Sequence, residues 1–78
     1  LATALAEYVQ EWAARSQITA DFHCRGNAQR RFPEVLEITV YRVVQEALTN
    51  VLKHAQAQQV SVLLEYFPQR LRVVIEDN

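Results

Sequence analysis

An α+β fold, arranged as a two-layer α/β sandwich in the order helix-strand-helix-strand-strand, is predicted by three observations. The first is a long 3.6-residue periodicity from Glu34 to about Ala55. The second is a period of two in three short segments, 17–24, 59–67 and 70–77. The third is the Pro68-Gln69 interruption between the last two segments. A parallel return needs a crossover of a dozen or more residues, so strands joined this tightly must be antiparallel.

Residues 1–15 carry Leu1, Leu5, Tyr8, Val9 and Trp12 at helical spacing, with Glu7, Gln10 and Glu11 between them. That pattern predicts an amphipathic helix, with Tyr8 and Trp12 in the core. In 17–24, Ile18, Ala20, Phe22 and Cys24 alternate with Thr19, Asp21 and His23, as in a half-buried strand. Cys24 reads as a small core residue, and His23 as a solvated one. Gly26-Asn27 is the strong turn signal, and Gly26 is the sole glycine.

Pro33 opens the second helix, since proline suits the first turn. Its apolar face is read as Leu36, Val40, Val43, Ala47 and Val51. The two strand segments that follow place Val60, Val62, Leu64, Leu71, Val73 and Ile75 toward the helices or a second layer. A mixed sheet with helices on one face results.

Size and composition set the bounds. The sequence has 78 residues, is 50% hydrophobic and carries a formal charge of −1. It suits one small domain, 1–78, with a marginal core. There is no bulk electrostatic drive toward nucleic acid or an anionic membrane. A single cysteine excludes an internal disulfide and a cysteine-based metal site. The sequence begins at Leu1 rather than Met and ends at Asp77-Asn78 straight after a strand pattern, which leads us to expect part of a larger domain. A strand edge near 70–77 is then expected to lack cover and to favour self-association.

The chemistry is expected on the long helix. Measured from Glu46 at about 100° per residue, Asn50 lies at about +40°, Lys53 at about −20°, His54 at about +80° and Arg42 at about −40°. On this reading the polar stripe runs beside the buried face. Mg²⁺ prefers hard oxygen ligands and keeps waters while it binds phosphate oxygens. The Asn50 amide oxygen suits that role without adding charge beside a triphosphate. Glu46 could order metal-bound water or act as a base, and Lys53 or His54 could pair with phosphate oxygens. The same spacing also fits an ordinary solvated helix edge, with His54 complementing the helix dipole.

The stretch Tyr41-Arg42-Val43-Val44-Gln45-Glu46-Ala47-Leu48-Thr49-Asn50-Val51-Leu52-Lys53-His54-Ala55 resembles the N box of sensor histidine kinases. It is most similar to the subfamily paired with NarL-type response regulators, where YR-x-x-QEALTN-x-x-KHA is close to a signature. Asp77-Asn78 resembles the start of the family's DNG-x-G motif. The resemblance covers essentially the whole sequence. It implies the ATP-binding sandwich shared with DNA gyrase, the Hsp90 chaperones and the MutL repair proteins. It implies ATP and Mg²⁺ as cofactors, with Asn50 on the metal, Glu46 as the catalytic acidic residue, and Lys53 and His54 near the phosphates. Asp77 would accept a hydrogen bond from the adenine amino group, as an ionised carboxylate can.

The implied reaction is transfer of the γ-phosphoryl group to a histidine on a separate dimerisation domain. The implied location is the cytoplasmic portion of a sensor. Neither His23 nor His54 matches the phosphoacceptor. The glycine-rich phosphate loops and the ATP lid have no counterpart here, so this stretch alone is expected to be inactive. Two rivals remain: another ATP-sandwich protein, such as a serine-directed anti-sigma kinase, and a nucleotide-free dimerisation module.

Overall fold

The computed structural model describes residues 1–54 and 56–78. It contains α1 (Ala2–Ser16), β1 (Thr19–Arg25), α2 (Glu34–His54), β2 (Gln59–Phe67) and β3 (Arg70–Asp77), in the expected order. The element bounds agree with the sequence patterns to within two residues. The expected end of the long helix at Ala55 lies outside the described residues.

Helix α1 buries Leu5, Val9 and Trp12, one stripe at spacings of four and three. It stops at Gln17, whose backbone turns left-handed (φ 62°, ψ 23°) while its N–H donates to the Ala13 carbonyl. That conformation reverses the chain into β1. The turn after β1 depends on Gly26, at φ 90°. Asn27 Oδ1 then accepts the Gln29 N–H at 3.0 Å, and the Asn27 carbonyl accepts the Arg30 N–H at 3.0 Å. These local bonds satisfy a stretch of backbone that belongs to neither helix nor sheet.

Pro33 stands immediately before α2 and its carbonyl accepts the Glu37 N–H at 3.1 Å. The Glu37 carboxylate reaches back to accept the Phe32 N–H at 3.2 Å and lies 3.8 Å from the Arg31 guanidinium. Glu34 and Glu37 in the first turn and Lys53 and His54 in the last complement the helix dipole.

The sheet order is β1-β2-β3. Strand β1 is parallel to β2 in the register Ala20↔Val60, Phe22↔Val62, Cys24↔Leu64. Strand β3 is antiparallel in the register Asp77↔Val60, Ile75↔Val62, Val73↔Leu64, Leu71↔Tyr66. Because β1 and β2 are parallel, a crossover must join them, and α2 is that crossover. On the helix-facing side Val60, Val62, Leu64 and Tyr66 are buried, and Leu71, Val73 and Ile75 pack against them. Helix α1 lies against β1 and α2 against β3. On the other side, Glu65 sits between Arg25 and Arg72 at 4.0 and 3.5 Å. With both guanidiniums well exposed, such pairs contribute at most about 1 kcal/mol each.

Two expectations are corrected. The buried residues of α2 are Val44, Leu48 and Val51, whereas Leu36 and Val43 are exposed. On the helical wheel the buried face centres near 170° from Glu46 rather than near 100°. An apolar run with valines at 35, 40, 43, 44 and 51 fits two faces, and packing against the sheet and α1 selects the one through Val44 and Leu48. Cys24 points to the helix side of β1 in register with Leu64, but it is exposed rather than a core residue.

A Cβ on Gly26 would run into the Tyr66 carbonyl oxygen and lie 3.0 Å from Tyr66 Cβ. The left-handed backbone adds a penalty of its own. Gly26→Ala should therefore destabilise the fold by about 2 kcal/mol or more, read as a lower denaturant midpoint in chemical unfolding.

Candidate functional site

The long helix offers its chemistry on the side that packing leaves free. Glu46, Asn50, Lys53 and His54 are all exposed, as is Arg42. Since the buried face runs through Val44, Leu48 and Val51, Glu46 lies opposite the core rather than beside it, which corrects the expectation from spacing. Asn50 and His54 lie toward one flank. Among the described residues, none of these side chains forms an ion pair or a side-chain hydrogen bond.

The end of the helix meets the end of the sheet. Only residues 55–58 separate His54 from Gln59, so the last turn of α2 lies at the end of the domain where β2 begins. Strand β3 finishes at that same end. Asp77 is the partner of Val60, which puts it on the helix-facing side of the sheet, and it is exposed. Asn78 ties this end together. Its side-chain oxygen accepts the Gln58 and Gln59 N–H groups at 3.0 and 3.2 Å, and its own N–H donates to the Gln59 carbonyl at 3.2 Å. The Gln58 carbonyl accepts the Thr19 N–H at 3.2 Å, which links β1 to the same point.

The fold thus brings Lys53, His54 and Asp77 to one end. Asn50 is about one turn back along α2, and Glu46 about two. The structural role of Asn78 was missed in the sequence. Its position straight after a strand end, with a side chain suited to capping backbone groups, was the available signal.

The donor set is selective. Among the described residues, no group of three His, Cys, Asp or Glu side chains could hold a metal by itself. A cation at α2 would therefore take the Asn50 amide oxygen together with oxygens from water and a ligand, which is the way Mg²⁺ is commonly held. The cleft of about 290 Å³ between α1 and α2 is lined by Tyr8, Trp12, Arg15, Ser16, Thr49 and Leu52, and includes none of the five candidate residues. Tyr8 and Trp12 serve packing: Trp12 is buried, and the Tyr8 ring lies 5.7 Å from that of Tyr41. His23 is exposed beside Asp21, at 3.7 Å. Partial shielding pushes the Cys24 thiol above its ordinary range, so it is not poised as a thiolate.

No protein-family model matches the chain. It is similar over nearly its whole length to several curated proteins, among them the following three. It is 43% identical over 74 residues to the signal transduction histidine-protein kinase/phosphatase DegS of Brevibacillus brevis, covering 95% of the chain and 19% of that protein. It is 36% identical over 78 residues to the oxygen sensor histidine kinase NreB of Staphylococcus carnosus, covering 100% and 22%. It is 30% identical over 76 residues to the sensor histidine kinase YxjM of Bacillus subtilis, covering 97% and 19%. The chain spans about a fifth of the length of these relatives.

Burial separates residues that hold the fold from residues free to do chemistry. Leu48→Ala should cost about 2–5 kcal/mol. Glu46→Gln and Asn50→Ala should each stay within about 0.5 kcal/mol of the unsubstituted chain. Denaturant unfolding of the three variants checks this; a loss at Asn50 comparable to that at Leu48 would make Asn50 a structural residue.

Proposed function

On the premise that the chain belongs to the sensor histidine kinase family, we propose that it is the N-terminal part of that family's ATP-binding domain. The fold would be the first portion of the ATP-binding sandwich of the gyrase and Hsp90 type. The observation that carries this reading is one arrangement: an exposed stripe of Glu46, Asn50 and Lys53 on α2, ending at the edge where Asp77 emerges from β3.

Each residue has a role that its chemistry supports. Asn50 would supply a neutral hard oxygen to Mg²⁺, and Glu46, one turn away, would orient the water around it or act as a base. Lys53 and His54, at the C-terminal end of α2, would face phosphate oxygens as charge-assisted donors. Asp77, an acceptor-only group when ionised, would receive the adenine amino group. Bound Mg²⁺ would neutralise charge on the phosphates during transfer. The exposure of all five residues fits groups that gain partners when nucleotide arrives.

In the parent protein the reaction would be transfer of the ATP γ-phosphoryl group to a histidine on a separate dimerisation domain, and onward to a NarL-type response regulator. No helix among the described residues is long and apolar enough to cross a membrane. In our reading this portion of the sensor works on the cytoplasmic side. The sole glycine, Gly26, is occupied in the turn against Tyr66, so the phosphate cradle would be built from other parts of the parent.

The test is autophosphorylation of the intact parent kinase. Asn50→Ala should reduce it by at least about a hundredfold with the thermal melt unchanged, in line with loss of a group that stabilises developing charge. Asp77→Asn should raise the KM for ATP, because an amide can present a donor where adenine also donates. Normal phosphorylation by the Asn50 variant at ordinary Mg²⁺ would overturn the assignment.

A further inference from the structure

Two segments, 25–37 and 65–72, meet at the end of the domain opposite Asp77. Gly26 packs against the Tyr66 carbonyl, the Phe32 ring lies 6.2 Å from that of Tyr66, and Arg25 lies 4.0 Å from Glu65. The two segments carry Arg25, Arg30, Arg31, Arg70 and Arg72, five of the eight basic residues of the chain, and no lysine. Their acidic residues are Glu34, Glu37 and Glu65. Five positive charges against three negative leave this end at +2, in a chain whose formal charge is −1. The 21 residues of α2 set it about 30 Å from Lys53 and His54.

We propose that this end is a docking surface for a carboxylate-rich segment of a partner protein. Its own carboxylates are shielded and its guanidiniums are not. The side chains of Glu37 and Glu65 are each 14% exposed, while those of Arg25, Arg31 and Arg72 are 74%, 84% and 60% exposed. A partner that approaches therefore meets arginine first. At 3.5 to 4.0 Å the contacts of these arginines with Glu65 and Glu37 are ion pairs that fall short of hydrogen bonds. Their N–H donors stay open to an outside acceptor. Arg30 and Arg70 have no ion-pair partner among the described residues. Each is held over a ring instead, Arg30 at 5.9 Å from the centroid of Phe32 and Arg70 at 4.4 Å from that of Phe67.

The kind of partner follows from the chemistry and the shape. Arginine presents a planar fork of donors that matches the two oxygens of a carboxylate. The sheet register puts Arg25, Arg70 and Arg72 on the outer face, together with Glu65 and Phe67. Arg30 and Arg31 belong to the connection that leads to α2, on the helix side. The arginines thus turn the corner of the domain. A protein segment with carboxylates spaced along it can follow that corner, whereas a flat lipid surface or a single phosphate reaches only part of it. Farther along the outer face, Asp21 and Glu76 flank Ser61 in register. They repel carboxylates and confine the acidic part of a partner to the arginine end. This inference does not rest on the nucleotide-binding reading.

Fluorescence anisotropy of a fluorescein-labelled hexaglutamate peptide, titrated with the 78-residue chain, tests it. The peptide should bind with a Kd of about 100 µM or tighter at about 20 mM salt, and at least about threefold more weakly at about 150 mM. Arg30→Gln with Arg70→Gln should weaken binding at least about tenfold. Arg15→Gln with Arg42→Gln removes the same charge from elsewhere and should change it by less than about twofold. Circular dichroism melts confirm that both variants fold, and the same ranking is expected in the intact parent kinase. Absence of saturable binding in both the chain and the parent would overturn the proposal. So would an equal loss in the two double variants, which would reduce the effect to net charge. Binding of phosphatidylserine vesicles without binding of hexaglutamate would also overturn it, in favour of a lipid surface.

Discussion

The parallel pairing of β1 with β2 is the constraint on which the rest of this structure depends. Two parallel strands cannot be joined by a turn, so the 33 residues between Arg25 and Gln59 must cross over the sheet. Helix α2 is the helical part of that crossover. Its length, its seat on the sheet and the end at which it stops all follow. Because it hands the chain to the start of β2, its last turn is obliged to lie where β2 begins and where the antiparallel β3 finishes. Lys53, His54 and Asp77 meet at one end of the domain through topology, with no direct bond between them.

Strand β2 carries the other half of that constraint. It is the central strand, and its alternate residues Val60, Val62, Leu64 and Tyr66 are the floor on which both helices rest. At one end of β2, the Tyr66 carbonyl approaches so closely that only glycine can occupy position 26. At the other, Asn78 caps the Gln58 and Gln59 N–H groups. The strand is thus fixed at both ends by neighbours whose side chains, or lack of one, suit a single task.

The helix shows how packing and chemistry divide one element. Val44, Leu48 and Val51 are committed to the core, and the residues opposite them are exposed. A stripe whose charged groups form no ion pair among the described residues differs from a salt-bridged solvent face, where i,i+4 partners would neutralise one another. On the nucleotide-binding reading proposed above, that difference has a meaning: groups that await an external ligand need not be satisfied beforehand.

Much of this was legible in the sequence. Alternation with a period of two marked all three strands, and the Pro68-Gln69 interruption dictated the hairpin. The N-box stretch from Tyr41 to Ala55 identified the family that the relatives then bore out. Tertiary structure alone decided which face of α2 is buried. Its valines and leucines are spread over more than half the wheel, so periodicity permitted a face through Leu36 and Val43 as readily as one through Val44 and Leu48. Contact with the sheet and with Tyr8 of α1 broke that tie, since only the second face can meet both. Likewise the alternation in β1 assigned Cys24 to the inner side, but a strand pattern reports direction and not cover. Whether a side chain is buried depends on what the other elements lay over it, and that is a property of the assembled fold.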